Sequence, residues 1–115
     1  MNLKKFFLVV LVFGFVAIAA HAQEMPMRGM YVTDDSRAEY KYITLEGDRD
    51  SNQREIKFMS SDGQRVLYTY RIQYYSSSSI YAGQTGHGTF ELKNLSRESF
   101  TLRMAMGRNI TYIRM

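Results

Sequence analysis

Apolar and polar residues alternate with a period of two through almost the whole chain beyond residue 22. The clearest run is 65–75, where Val66, Tyr68, Tyr70, Ile72 and Tyr74 fall on one face and Arg65, Thr69, Arg71 and Gln73 on the other. Phe100, Leu102, Met104 and Met106 alternate in the same way with Ser99, Thr101, Arg103 and Ala105. Phe90 and Leu92 alternate with Thr89, Glu91 and Lys93, and Ile56 and Phe58 alternate with Glu55 and Lys57. Successive side chains of a strand point to opposite faces, so the pattern predicts antiparallel strands with one face in a core and one in water. No window carries the spacing of an amphipathic helix.

Turn residues divide the pattern into elements. Asp34-Asp35-Ser36 ends a first strand over 29–33, and the polar stretch 46–52 separates a strand over 40–45 from the one holding Ile56. Asp62-Gly63 supplies the positive backbone angles of a tight reversal, and Gly107-Arg108-Asn109 reads as the last turn. The longest break is 76–88, with four serines followed by Gly83, Gly86 and Gly88. Seven strands result, with 80–82 as a candidate short eighth. Residues 76–88 are expected to be a mobile loop and the working surface, with Ile80 and Tyr81 docked on a rim or held for a partner. The inward set is expected to be Phe58, Val66, Tyr68, Tyr70, Ile72, Phe90, Leu92, Phe100, Leu102 and Met104.

The first 22 residues break the pattern. Lys4 and Lys5 precede an apolar run from Phe6 to Ala20, and Ala20-His21-Ala22 follows. This is the arrangement of a secretory signal peptide cleaved before Gln23, and the run is shorter than the roughly 20 residues that span a bilayer. The expected products are a 1–22 signal and a single 23–115 domain in the periplasm or medium of a bacterium, with no membrane span after cleavage. The 15 basic residues of the chain include the two signal lysines, leaving 13 against 11 acidic, so net charge falls from +4 to about +2. The ten arginines are scattered and alternate to the face opposite the tyrosines, which argues against a nucleic-acid partner. Cysteine is absent, so a domain this small must rely on burial and not on disulfides.

Short antiparallel strands joined by tight turns predict an all-β meander or a small up-and-down barrel, since closure removes exposed edges. The Gly29-Met30-Tyr31 start, the Tyr-rich strand, Gly86-His87-Gly88-Thr89-Phe90-Glu91-Leu92 and the closing Tyr112-Ile113-Arg114 resemble the small lipocalin-like domains of exported bacterial proteins. The chain departs from that pattern in being short and in carrying Tyr31 where the family's opening has Trp. The resemblance implies an up-and-down barrel with a small apolar ligand in its mouth. An outer-membrane barrel is excluded by strand length, because eight spanning strands of about 9–11 residues with loops exceed the 93 residues available.

Nine tyrosines and no tryptophan are the main candidate chemistry. A tyrosine-lined cavity offers flat apolar walls with hydroxyls that orient a ligand, and Tyr68, Tyr70, Tyr74, Ile80 and Tyr81 are the candidate ligand-binding residues. The plain alternative is that tyrosine favours strands and core boundaries. Asp48-x-Asp50-x-Asn52 opens like a calcium loop, but Gln53 and Met59 stand where Gly and Glu are required. The glycines at 83–88 lack the helix or Gly-Lys-Ser/Thr ending of a phosphate loop. With His87 the one histidine beyond the signal and no cysteine, neither a metal, a cofactor nor a catalytic triad is expected, and the chain is not expected to be an enzyme. Two roles remain: carrier or sensor of a small apolar ligand in the cell envelope, or a filled barrel that contacts an envelope protein through its loops. Cavity volume separates them.

Overall fold

A computed structural model describes residues 25–115. The signal peptide over 1–22 and the start at Gln23 lie outside the described residues. Eight strands follow in order: β1 (Gly29–Val32), β2 (Tyr42–Glu46), β3 (Gln53–Met59), β4 (Val66–Tyr75), β5 (Ile80–Thr85), β6 (Gly88–Lys93), β7 (Ser99–Arg103) and β8 (Asn109–Arg114). Each pairs antiparallel with the next, and β1 pairs with β8, so the sheet closes into an up-and-down barrel. The all-β barrel expected from the alternation is the fold. Its seam is short, with Tyr31 opposite Arg114 and Val32 opposite Ile113.

The core follows the period of two. Tyr31, Ile43, Leu45, Ile56, Phe58, Ile72, Tyr81, Phe90, Leu92, Phe100, Leu102, Ile110 and Tyr112 are buried inside the barrel. Eight strands enclose an interior wide enough for side chains, and six of the buried ones are aromatic. Phe100 stacks on Tyr112 at 5.6 Å and meets Tyr31 at 4.8 Å. The Asp-Gly turn forms as expected, with Gly63 at φ 74° under the Tyr42 ring.

The structure corrects the loop over 76–88 and three members of the expected inward set, Val66, Tyr68 and Met104. Residues 76–88 are not one loop: the serines make a turn that ends with Ser79 at φ 57°, β5 follows, and Gly86-His87 turns the chain into β6. Tyr81 pairs with Tyr74 and Leu92, and Ile80 with Tyr75, so the candidate eighth strand is real and runs to Thr85. Val66 is 48% exposed because the register slips between Phe58 and Met59, which leaves Leu67 as an extra residue and sets Val66 opposite Met59, out of phase with the inward set. Tyr68 is 51% exposed although it lies opposite buried Phe58, because it stands at the barrel's end, and Tyr70 is half-buried below it. Met104 is half-buried in the turn beyond β7, where its carbonyl accepts from the Gly107 amide, and Met106 is exposed.

Candidate functional site

The two ends of the barrel differ. Up-and-down topology puts the β2–β3, β4–β5 and β6–β7 turns at one end together with the N-terminal segment, and the other four turns at the opposite end.

The first end is sealed. Met25 and Pro26 are buried against the core, and the segment is stitched to three parts of the barrel. Arg49 Nε donates to the Met25 carbonyl at 3.0 Å, Tyr31 Oη donates to the Met27 carbonyl at 2.5 Å, and the Met27 amide donates to the Arg97 carbonyl at 3.0 Å. Arg54 is the centre of this seal. It is 3% exposed and donates from Nη1 to Pro26 O at 2.6 Å, from Nε to Glu46 O at 3.2 Å and from Nη2 to Gly47 O at 3.3 Å. A buried guanidinium is tolerated where its donors are satisfied, and three carbonyls do this. Its face lies 5.7 Å from the centroid of the Tyr81 ring. The Tyr81 hydroxyl is buried without a well-aligned hydrogen bond, and burial raises its pKa against the opposing pull of Arg54. Burial likewise pushes the Tyr31 hydroxyl up to about 12.

The opposite end is open. A cavity of about 670 Å³ enters the barrel there. Its floor is Phe58, Phe90, Leu102, Ile110 and Tyr112, its wall Tyr40, Tyr68 and Tyr70, and its rim includes Arg37, Glu39, His87, Met106 and Arg108. Tyr40 packs on Phe58 at 4.8 Å and stands edge-on to Tyr68 at 6.4 Å, with the rings at 76°. Tyr68 and Tyr70 lie nearly parallel, 6.3 Å apart at 17°. Tyr70 meets Phe90 edge-on at 5.9 Å. The Tyr112 hydroxyl donates to the Tyr40 carbonyl and so fixes the β1–β2 connection over the barrel. Desolvation, with the nearby Glu39 charge second, pushes the Tyr40 hydroxyl up to about 12. Asp35 accepts two hydrogen bonds from the Arg37 guanidinium, Nη2 at 2.7 Å and Nε at 3.0 Å, and these hold its carboxyl down to about 2.

Of the five candidate ligand-binding residues, Tyr68 and Tyr70 line the open cavity. Tyr74 and Tyr81 do not join them: their rings meet at 5.3 Å towards the sealed end. Ile80 lines a separate shallow groove with Met25, Tyr74 and Leu95. Strand geometry explains the split, because β4 is ten residues long and carries tyrosines along the full height of the barrel. Sequence reasoning puts Tyr40 at the head of the strand over 40–45, whereas β2 begins at Tyr42 and leaves Glu39 and Tyr40 in the β1–β2 connection, where no period marks the inward side. Arg54 could have been found, since it stands two residues before Ile56 on the inward face of β3.

Among the described residues no group of three His, Cys, Asp or Glu side chains could hold a metal, and no helix is long and apolar enough to cross a membrane. No family model, curated protein or solved structure matches the chain.

Proposed function

We propose that this domain is a non-catalytic binding barrel of the bacterial cell envelope, a lipocalin-like carrier or sensor that takes a small apolar or aromatic molecule through its open end. The observation that carries this reading is the 670 Å³ cavity, which exceeds the roughly 300 Å³ at which small-molecule sites begin. Its chemistry supports the same reading. Ligand pockets are mostly apolar with a few polar groups that fix orientation, and here aromatic rings carry the walls while tyrosine hydroxyls and rim charges supply the polarity. The sealed opposite end makes the barrel a cup and not a channel.

Native mass spectrometry of protein purified from its producing cells tests the reading. A retained small molecule that is lost on Tyr68→Ala supports it. Protein that leaves its cells empty, and that binds no aromatic or aliphatic probe afterwards, overturns it. A second reading, contact with an envelope protein through the open rim, is favoured by Met106, which is 96% exposed beside the mouth. The same spectra distinguish it, because a bound partner adds kilodaltons where a ligand adds hundreds of daltons.

A further inference from the structure

The geometry points to an organic cation, an alkyl- or arylammonium group, as the ligand class: the cavity sets the Glu39 carboxylate beside a box made by the Tyr40, Tyr68 and Tyr70 rings. The inference rests on the ligand-binding reading above and names what would occupy that site.

Ring geometry is the first support. Aromatic faces are negative and edges positive, so a cation is held best where several faces surround it. Tyr40 stands at 76° to Tyr68, and Tyr68 runs nearly parallel to Tyr70, giving walls in two orientations within 6.4 Å of one another. Tyr68 is half-exposed, so its ring has a free face towards the mouth.

Charge placement is the second. Four ionisable side chains besides the tyrosines line the mouth, namely Arg37, Glu39, His87 and Arg108. Arg37 is already engaged by both oxygens of Asp35, whereas Arg108 forms no ion pair among the described residues and only its charge reaches Asp35. Glu39 forms no ion pair among the described residues, and its side-chain hydrogen bond with the Tyr40 hydroxyl holds the carboxylate against the aromatic wall. An entering cation therefore finds a carboxylate that no described cation of the protein pairs, and three electron-rich rings. An entering anion finds Arg37 already paired with Asp35 and is left with Arg108, a competing attraction that the phenylacetate probe measures. Partial removal from water strengthens the first arrangement, because cation–ring attraction grows as solvent is excluded.

Isothermal titration with three probes of similar shape tests the inference: benzyltrimethylammonium, its neutral isostere neopentylbenzene, and phenylacetate. The cation should bind about tenfold or more tighter than the isostere, with phenylacetate weakest. Glu39→Gln should shrink the cation-to-isostere ratio about fivefold. Tyr68→Leu, which keeps an apolar wall at a half-exposed position, should shrink it as well and serves if the Glu39 variant does not fold. A neutral probe that binds as tightly as the cation, a ratio that neither variant moves, or phenylacetate as the tightest ligand overturns the cation inference and leaves the ligand-binding reading standing. Failure of all three probes to bind the folded protein overturns both.

Discussion

The Phe90 ring occupies the space beside Gly83 in which a side chain would stand: a Cβ at Gly83 would fall 2.4 Å from Phe90 Cζ and 3.0 Å from the Arg71 carbonyl oxygen. Gly83 lies opposite Phe90 in the β5–β6 register, so the missing side chain of one strand is the room for the ring of the next. Gly83→Ala should cost about 1–3 kcal/mol, because the new methyl must push the Phe90 ring aside and press on the Arg71 backbone. Urea unfolding measures this, and Phe90→Leu in the same chain should recover part of the loss. Additive losses in the double variant would remove Phe90 as the cause.

Arg54 holds the sealed end, and its replacement should open that end first. Arg54→Met leaves the carbonyls of Pro26, Glu46 and Gly47 without their donor, at a cost of about 3 kcal/mol in all. Amide exchange should rise at Met27, whose amide belongs to the same stitched segment. A loss below about 1 kcal/mol would show that the carbonyls find water instead.

Most of the fold is legible in the alternation, and the misreadings have local physical causes. Seven strands follow from the sequence: six carry at least two apolar inward residues, and β1, with Tyr31 alone, is marked by the Asp34-Asp35-Ser36 turn that ends it. The eighth does not, since β5 offers only Tyr81 as a large inward side chain and places Gly83 where the next belongs. A glycine kept for close packing looks, in sequence, like one kept for a loop. The bulge at Leu67 was written as two adjacent apolar residues, Val66-Leu67, that break the period. The cavity was half legible: Tyr68 and Tyr70 could be placed on an inward face, but the height of a residue within a barrel depends on register and not on period.

Tyr81 is fully buried and pairs across to Leu92, so it belongs to the core and not to a dispensable rim, while Ile80 next to it stands on the other face of β5 and is only half-buried. Tyr81→Ser should cost about 3–5 kcal/mol, and the double change to serine should unfold the domain at room temperature. Circular dichroism of the double variant decides the matter. A native spectrum would put β5 outside the cooperative unit, as the loop expectation had it.

Four tyrosines resist ionisation. Tyr31 and Tyr40 are pushed up to about 12, and burial raises Tyr81 and Tyr112 as well. The unfolded chain ionises them near 10, so it releases protons that the folded chain still holds. Stability from these groups is complete below about pH 10 and is lost as pH rises towards 12. Phenolate absorbance from these four should therefore appear together with loss of near-ultraviolet dichroism. Ionisation of all nine tyrosines with the dichroism intact contradicts the buried placement.

Gly86 gives a way to close the cup without disturbing it. It lines the cavity mouth in the β5–β6 turn, and a Cβ there meets nothing within 4 Å. Its backbone is not in the left-handed region that only glycine enters readily, so a side chain costs little strain. Gly86→Trp should therefore leave the unfolding free energy within about 0.5 kcal/mol of the parent. The indole would overhang the opening and compete with a ligand for the Tyr68 and Tyr70 rings, which lowers affinity about tenfold or more if entry is through this end. Titration of the benzyltrimethylammonium or neopentylbenzene probe into parent and variant measures it. Equal affinity in a folded Gly86→Trp protein would place the binding site elsewhere, with the groove that holds Ile80 and Tyr74 as the next place to look.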